Sequence, residues 1–203
     1  MLVVRGDALR EYEMLTIDGM TVTTAARTAF DIGRRLPATE AVQRVDALMN
    51  ATRLGVDEIE GVMDQHPGVR GLRALRKTLD LVDAGAQSPY ETLTRLILVK
   101  AGLPRPQTQV PVVDQYGHVV AYVDMGWPDL RVAVEYDGAQ HWTDARQRRR
   151  DIERLADLEA LGWIVIRVSS DMVRTPAAVV ARVRAALESR ATLRISTPRR
   201  RVS

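Results

Sequence analysis

The spacing of apolar residues divides the chain into two parts. Up to about Ala86, apolar side chains recur at steps of three and four residues, as they do along one face of an α-helix. This pattern predicts a mostly helical domain over residues 1–86, with a short strand pair formed by residues 2–4 and 14–17. The helices are expected at 24–35, 39–52, 56–65 and 70–84.

Small and polar residues at 84–88 interrupt this pattern, and an alternation of helices and strands follows. Three predicted strands form a meander, and a later strand that is apolar on both faces is expected to be central in the sheet. We therefore predict an α/β domain over 87–190, followed by a loose basic tail at 191–203. The predicted helices are 88–101, 145–161 and 176–190, and the predicted strands are 109–113, 118–124, 131–136 and 163–168.

Composition limits the possible chemistry. A chain of 203 residues with 46% hydrophobic content can bury a core, and the absence of cysteine excludes disulfides, zinc–thiolate sites and thiol nucleophiles. The net charge is only +3, so clusters of arginine are more informative than the total. No signal peptide and no apolar run of about 20 residues is apparent. We expect a cytoplasmic protein without a membrane span or an organic cofactor.

Three acidic residues lie in or beside two predicted strands. Glu135 and Asp137 are two residues apart and face the same side of their strand, and antiparallel pairing would bring Asp124 close to Glu135. Carboxylates are unfavourable on a half-buried sheet unless a partner compensates their charge, and a hard divalent cation is the simplest partner. The sequence therefore predicts a Mg²⁺ or Mn²⁺ site formed by Asp124, Glu135 and Asp137.

Two further residues could join this centre. Glu91 begins a predicted helix, where it either contributes a fourth carboxylate or closes a capping box with Ser88. His141 follows the third strand of the meander and could act as a proton carrier or phosphate donor, although a lone histidine can also be structural. Both alternatives stay open at this point.

Arginines are concentrated just after the acidic residues, at the beginning of a predicted helix. The positive end of the helix dipole disfavours arginine there. The placement is understandable if the segment borders a phosphate backbone, and the alternative is an ordinary solvated helix face. The predicted phosphate contacts are Arg146, Arg148, Arg149, Arg150 and Arg154.

The order of these elements resembles the PD-(D/E)XK restriction-endonuclease-like superfamily, closest to the branch of the very-short-patch repair endonuclease. The resemblance covers about residues 88–175 and implies a mixed sheet flanked by helices, with Mg²⁺-supported hydrolysis of DNA. It implies that Asp124 is the central aspartate, Glu135 the acidic residue of the next strand and Glu91 the helix glutamate. Asp137 stands where the superfamily has lysine, and Gln140 or His141 would supply the missing donor.

Residues 14–85, which include the segment Asp18-Gly-Met-Thr-Val-Thr-Thr-Ala-Ala-Arg27, resemble the C-terminal part of AbiEi-type antitoxin or regulator proteins. Those proteins carry a DNA-binding winged-helix head upstream. Because Met1 stands where such a head would already have ended, we expect a shortened version with reduced DNA targeting.

Two functional hypotheses follow. The first is a metal-dependent DNA endonuclease that uses the acidic residues, with His141 assisting and the arginines contacting phosphate. The second is a DNA-binding regulator or antitoxin-like protein whose nuclease fold has lost catalysis. A purely structural interaction module explains neither the acidic strands nor the arginine run.

Overall fold

The structure, a computed structural model, describes residues 6–138 and 145–196, with the backbone alone at 145–148 and 194–196. The chain divides into two compact units, Met1–Ala84 and Gly85–Ser203. The division lies two residues before the expected boundary at Ala86. Across the described ranges, no helix has the length and apolar character that crossing a membrane requires.

The first unit consists of a 3₁₀ turn, a β-hairpin and four helices. Its two strands pair antiparallel with each other. Residues 2–4, which were expected to pair with 14–17, lie outside the described residues. Asp18 and Gly19 connect the strands with φ of 49° and 78°, as a two-residue hairpin turn requires. The elements are Glu11–Glu13, β1 (Met14–Ile17), β2 (Met20–Thr23), α1 (Ala25–Arg35), α2 (Ala38–Thr52), α3 (Val56–Asp64) and α4 (Leu72–Leu79).

The helices of this unit form where the apolar spacing predicts them. Thr24 ends the hairpin and caps α1, because its hydroxyl oxygen accepts the Arg27 N–H at 3.2 Å. The apolar stripes of the four helices then meet in one core, in which Phe30, Ile59 and Leu75 are almost completely buried. Helix α4 is shorter than the predicted 70–84, since it begins after Gly71 at φ 97°.

The second unit contains a four-stranded mixed sheet in the order β3-β4-β5-β6. Strands β3, β4 and β5 form an antiparallel meander, and β6 pairs parallel with β5. The predicted α/β fold with a mixed sheet is therefore confirmed. Its elements are α5 (Pro89–Lys100), β3 (Gln107–Val113), β4 (Val119–Trp127), a 3₁₀ turn (Pro128–Leu130), β5 (Val132–Asp137), α6 (Ala145–Ala160), β6 (Ile164–Ser169), α7 (Ser170–Val173) and α8 (Pro176–Ser196).

Helices cover both faces of this sheet. On one face, Leu98 of α5 and Val183 of α8 pack against β4, β5 and β6. On the other face, Leu158 of α6 packs against β3, β4 and β5. Alternate residues of β5 therefore enter different cores: Val132 and Val134 enter the first, and Ala133 enters the second.

Two expectations about this unit were wrong. Strand β6 is not central, because among the described strands it pairs with β5 alone and ends the sheet. Its apolar character on both faces comes instead from helices that cover both sides of the sheet. The predicted loose tail begins too early, since α8 continues to Ser196.

Candidate active site

The register of β4 and β5 places Asp124 beside Glu135. The last ladder pair before this point is Met125 with Val134, so one further step brings Asp124 opposite Glu135. Asp124 Oδ2 accepts the backbone N–H of Tyr136 at 2.7 Å, which replaces a ladder hydrogen bond by a side-chain contact. The two strands diverge here, and the predicted register, Asp124 opposite Val134 to within one residue, is confirmed.

Strand β4 also changes face at Asp124. Val123 packs in the core on the α6 side, whereas Met125 packs in the core on the α8 side, although residues two apart in a regular strand share one face. Opposite Asp124 in β3, Gln109 has a φ of 47°, which indicates a local irregularity of the kind that redirects side chains in sheets. Asp124 therefore stands where the sheet is locally distorted.

Arg154 of α6 neutralises Glu135. Its Nη1 donates to Glu135 Oε2 at 3.1 Å, its Nη2 contacts Glu135 Oε1, and Nη2 also donates to the Tyr122 carbonyl at 3.0 Å. Glu135 itself is buried, at 8% exposure. This bidentate, charge-assisted contact satisfies the Glu135 carboxylate, whose burial without a partner would be unfavourable.

The spacing of α6 against β5 explains this contact. Arg154 and Leu158 lie four residues apart on one face of α6, about 6 Å along the helix axis. Glu135 and Ala133 lie two residues apart on one face of β5, about 6.6 Å along the strand. Leu158 packs in the same core as Ala133, so the preceding turn of the helix brings Arg154 to Glu135.

Asp124 carries an unfavourable charge in this environment. Burial, together with the negative charges of Glu91 and Glu135, raises the pKa of Asp124 to about 6. The Tyr136 N–H and the charge of Arg154 act in the opposite direction. Carboxylates from α5, β4 and β5 therefore lie within electrostatic reach of one another.

Glu91 takes part in capping α5 and also acts electrostatically on Asp124. Its backbone N–H donates to the capping Ser88 hydroxyl at 3.1 Å, and its Oε2 accepts the Gln87 N–H at 2.9 Å. It therefore helps to begin α5. Glu91 is also buried, at 8% exposure, and its charge acts on Asp124.

Asp137 belongs to a different ion pair. Its Oδ2 lies 2.8 Å from Arg167 Nη2 of β6, and both side chains are partly exposed. In the described residues, Glu91 and Glu135 act electrostatically on Asp124, and Asp137 forms a salt bridge with Arg167.

The donors present at this centre limit how a metal ion could be bound. Within the parts of the chain that the structure describes, no group of three or more His, Cys, Asp or Glu side chains has the spacing to hold a metal ion. Both oxygens of Glu135 contact Arg154. Mg²⁺ often uses only one or two protein carboxylates and completes its shell with water and substrate phosphate, so Asp124 with one neighbouring glutamate fits that chemistry.

The other predicted contacts have mixed outcomes. Gln140 and His141 lie outside the described residues, as do the side chains of Arg146 and Arg148. Arg150 is exposed, and Arg149 is exposed and pairs with Glu153 at 2.8 Å. In contrast to the expected phosphate contact, Arg154 is turned toward Glu135.

Sequence reasoning missed three contributors to this site. Arg167 is the one charged residue of β6, and it lies opposite Glu135 in the pairing of β5 with β6. The register of two parallel strands that are joined through a helix cannot be predicted from sequence. Tyr136 contributes a backbone N–H to Asp124, and a backbone contact is not visible in the residue type. Tyr90, next to Glu91, stacks on the Tyr136 ring with centroids 4.7 Å apart.

A family model matches part of the second unit. Residues 103–187 match the family model REase_MTES_1575, which describes a restriction-endonuclease-like family. The matched segment runs from before β3 into α8 and includes Asp124, Glu135, Asp137 and Arg154; Glu91 lies upstream of it.

Two curated relatives cover more of the chain. The uncharacterized proteins Rv2248 and MT2308, from the H37Rv and CDC 1551 strains of Mycobacterium tuberculosis, are each 33% identical over 168 residues. The alignment covers 82% of this chain and 62% of each relative, so the chain spans about three fifths of their length. No solved structure matches the chain significantly. The family match and the mixed sheet together support a restriction-endonuclease-like family for this chain.

Proposed function

We propose that this protein is a divalent-metal-dependent DNA endonuclease whose reaction centre is formed by Asp124, Glu135 and Glu91. The proposal rests on one observation: three carboxylates from three separate elements lie within electrostatic reach of one another where β4 and β5 diverge. The centre overlaps the segment that matches a restriction-endonuclease-like family. A merely structural ion pair would need one carboxylate for Arg154, not three.

The charge of the centre supports the need for a cation. The negative charges of Glu91 and Glu135 act on Asp124, and Arg154 contacts Glu135. A phosphodiester would be repelled by this centre unless further positive charge entered with it. Mg²⁺ or Mn²⁺ meets that requirement with oxygen ligands alone.

Each residue of the centre has a definable role on this proposal. Asp124 would be the principal metal ligand, oriented by the Tyr136 N–H, and Glu91 or Glu135 the second. A bound ion would supply a more acidic water and would neutralise charge on the phosphate oxygens. Gln140 or His141 would stand in for the missing lysine, and the exposed Arg149 and Arg150 would contact phosphate along with Arg146 and Arg148.

A second function is favoured by one specific observation. Both oxygens of Glu135 are held by Arg154, and Asp137, in place of the usual lysine, is held by Arg167. If this fold had lost metal catalysis, guanidinium groups in these places would neutralise the carboxylates that formerly bound the metal. The second candidate is therefore a DNA-binding regulator or antitoxin-like protein without cleavage activity.

The finer relationships are part of the same proposal. We assign residues 88–175 to the branch near the very-short-patch repair endonuclease, and residues 14–85 to the C-terminal region of AbiEi-type regulators. Either assignment is compatible with DNA as the partner and with a cytoplasmic location. Neither one distinguishes cleavage from binding.

A plasmid assay separates the two functions. Purified protein should nick or cut supercoiled plasmid with Mg²⁺ or Mn²⁺ but not with EDTA, and Asp124→Asn should abolish this. Asp129→Asn is the matched control, because Asp129 is exposed in the 3₁₀ turn between β4 and β5. This variant should cleave the plasmid like wild type. Asp137→Asn should stay within a few-fold of wild type, because Asp137 lies in its own salt bridge.

The contradicting outcomes are distinct. Equal cleavage by wild type and Asp124→Asn would remove this centre from the reaction. No cleavage under any condition, together with salt-sensitive DNA binding in EDTA, would establish the regulator instead.

A further inference from the structure

Two tyrosines form a stacked pair beside the acidic centre. The rings of Tyr90 and Tyr136 are 4.7 Å apart between centroids and only 4° from parallel. Tyr90 directly precedes Glu91, and Tyr136 directly follows Glu135, so the pair is fixed to the same two elements that supply the carboxylates. Tyr90 is nevertheless 45% exposed.

The inner ring of the pair is held from several sides. The backbone N–H of Tyr136 donates to Asp124, and its side chain forms a hydrogen bond with Ser170 at the beginning of α7. Tyr90 lies in the first turn of α5, which Ser88 caps. The Tyr136 residue is therefore held in place, and the Tyr90 ring stacks on it from the first turn of a capped helix.

The stack leaves part of Tyr90 open to solvent. Tyr136 covers one face of the Tyr90 ring, and Tyr90 is nevertheless 45% exposed, so solvent reaches its edge or its other face. A large aromatic surface fixed at the rim of a phosphodiester site is well suited to a second flat ring. Nucleobases stack on such surfaces with little dependence on their identity.

We infer that Tyr90, backed by Tyr136, is a stacking platform for an unpaired base, so that the substrate is single-stranded or locally unpaired DNA. The inference rests on the proposed function, because the platform flanks the proposed reaction centre. A base inside a duplex has both faces covered by its neighbours and cannot stack on Tyr90 without leaving the helix. Tyr90 would therefore select for strands whose bases are already free.

The alternative explanation is plain packing of α5 against β5. Packing requires only apolar contact, which leucine supplies, whereas stacking requires an aromatic ring. Tyr90→Phe keeps the ring and Tyr90→Leu keeps only the apolar contact, so this pair of variants separates the two explanations.

Binding to short labelled oligonucleotides tests the inference. Fluorescence anisotropy would compare a 12-nucleotide single strand with its matching duplex in Ca²⁺, with the integrity of the DNA checked on gels. Wild type and Tyr90→Phe should prefer the single strand. Tyr90→Ala and Tyr90→Leu should lose roughly 5- to 150-fold in affinity for it, as expected for the loss of one stacked base, with little change for the duplex.

Tyr116→Ala is the matched control. Tyr116 is more exposed, at 76%, but lies in the turn between β3 and β4, before the start of β4 at Val119. Asp124 is five residues further along that strand, about 17 Å away. This variant should bind both forms of DNA like wild type.

A second measurement does not depend on any variant folding. In a series of strands, each with one nucleotide replaced by an abasic site, one position should weaken binding to the wild-type protein. The loss of affinity at that position should be similar to the loss caused by Tyr90→Leu with the intact strand. Full affinity of Tyr90→Leu for the single strand, or the same loss for strand and duplex, would overturn the platform while leaving the proposed function intact. No binding of wild type to either form would overturn both.

Discussion

Arg154 and Glu135 form a bidentate salt bridge between α6 and β5, with Nη1 donating to Oε2 at 3.1 Å and Nη2 contacting Oε1. The guanidinium is partly exposed, at 37%, while the Glu135 side chain is 11% exposed. The hydrogen bond to Glu135 raises the pKa of Arg154, which keeps the guanidinium charged. Arg154 thus occupies the position beside Glu135 that a divalent ion would otherwise share.

We expect Arg154→Met to destabilise the metal-free protein by about 2–3 kcal/mol, because it leaves the buried Glu135 without a partner. Mn²⁺ should then raise the melting temperature of the variant more than that of wild type, because the ion can take over neutralisation of the carboxylates. Thermal unfolding in EDTA and in Mn²⁺ measures both effects.

Arg149→Met on the same helix is the control, because its pair with Glu153 is solvent-exposed and should contribute less than about 1 kcal/mol. An Arg154→Met protein as stable as wild type in EDTA would show that Glu135 does not depend on this arginine.

The raised pKa of Asp124 predicts a pH dependence of stability. Its folded-state pKa, about 6, lies above the ordinary value of 3.8. This group therefore destabilises the folded state progressively as pH rises from about 4 to about 6, by about 3 kcal/mol at most. Below that window Asp124 is protonated in both states and contributes nothing.

Asp124→Asn should remove this effect while keeping an oxygen for the Tyr136 N–H. Urea unfolding in EDTA should find the variant close to wild type at pH 4 and increasingly more stable toward pH 7. Asp129→Asn should show no such trend. A stability difference between Asp124→Asn and wild type that is the same at every pH would contradict the assigned environment.

The first unit holds a second buried cluster, which is expected to be structural. Arg27 is 2% exposed, and it donates to Glu13 at 2.7 Å and to Asp31 at 3.0 Å. His66 contacts the other oxygen of Glu13 at 2.5 Å. Burial opposes ionisation of Glu13, but the Arg10 N–H, His66 and Arg27 together lower the pKa of Glu13.

Arg27→Met should therefore cost about 3–5 kcal/mol, because it leaves Glu13 charged and buried. Arg44→Met is the comparison: Arg44 is 61% exposed, and its pair with Glu40 should be worth about 0.5 kcal/mol or less. Chemical denaturation of both variants measures the difference. A cost for Arg27→Met no larger than that for Arg44→Met would show that the cluster does not hold this unit together.

The sequence by itself determined the elements and the approximate position of Asp124. Apolar spacing locates the helices, and Ser88, Gly102 and Asp18-Gly19 mark their ends and turns, because caps and turns depend on residues close together in the chain. The short connection between β4 and β5 fixes their register to within one residue for the same reason.

Only the tertiary structure decided which charges meet. Arg154 reaches Glu135 across 19 residues of sequence, and Arg167 reaches Asp137 through a parallel pairing that follows a helix. Such contacts depend on how α6 packs over the sheet, and no local pattern encodes that packing. The same packing brought Glu91, from a helix far upstream of β5, into electrostatic reach of Asp124.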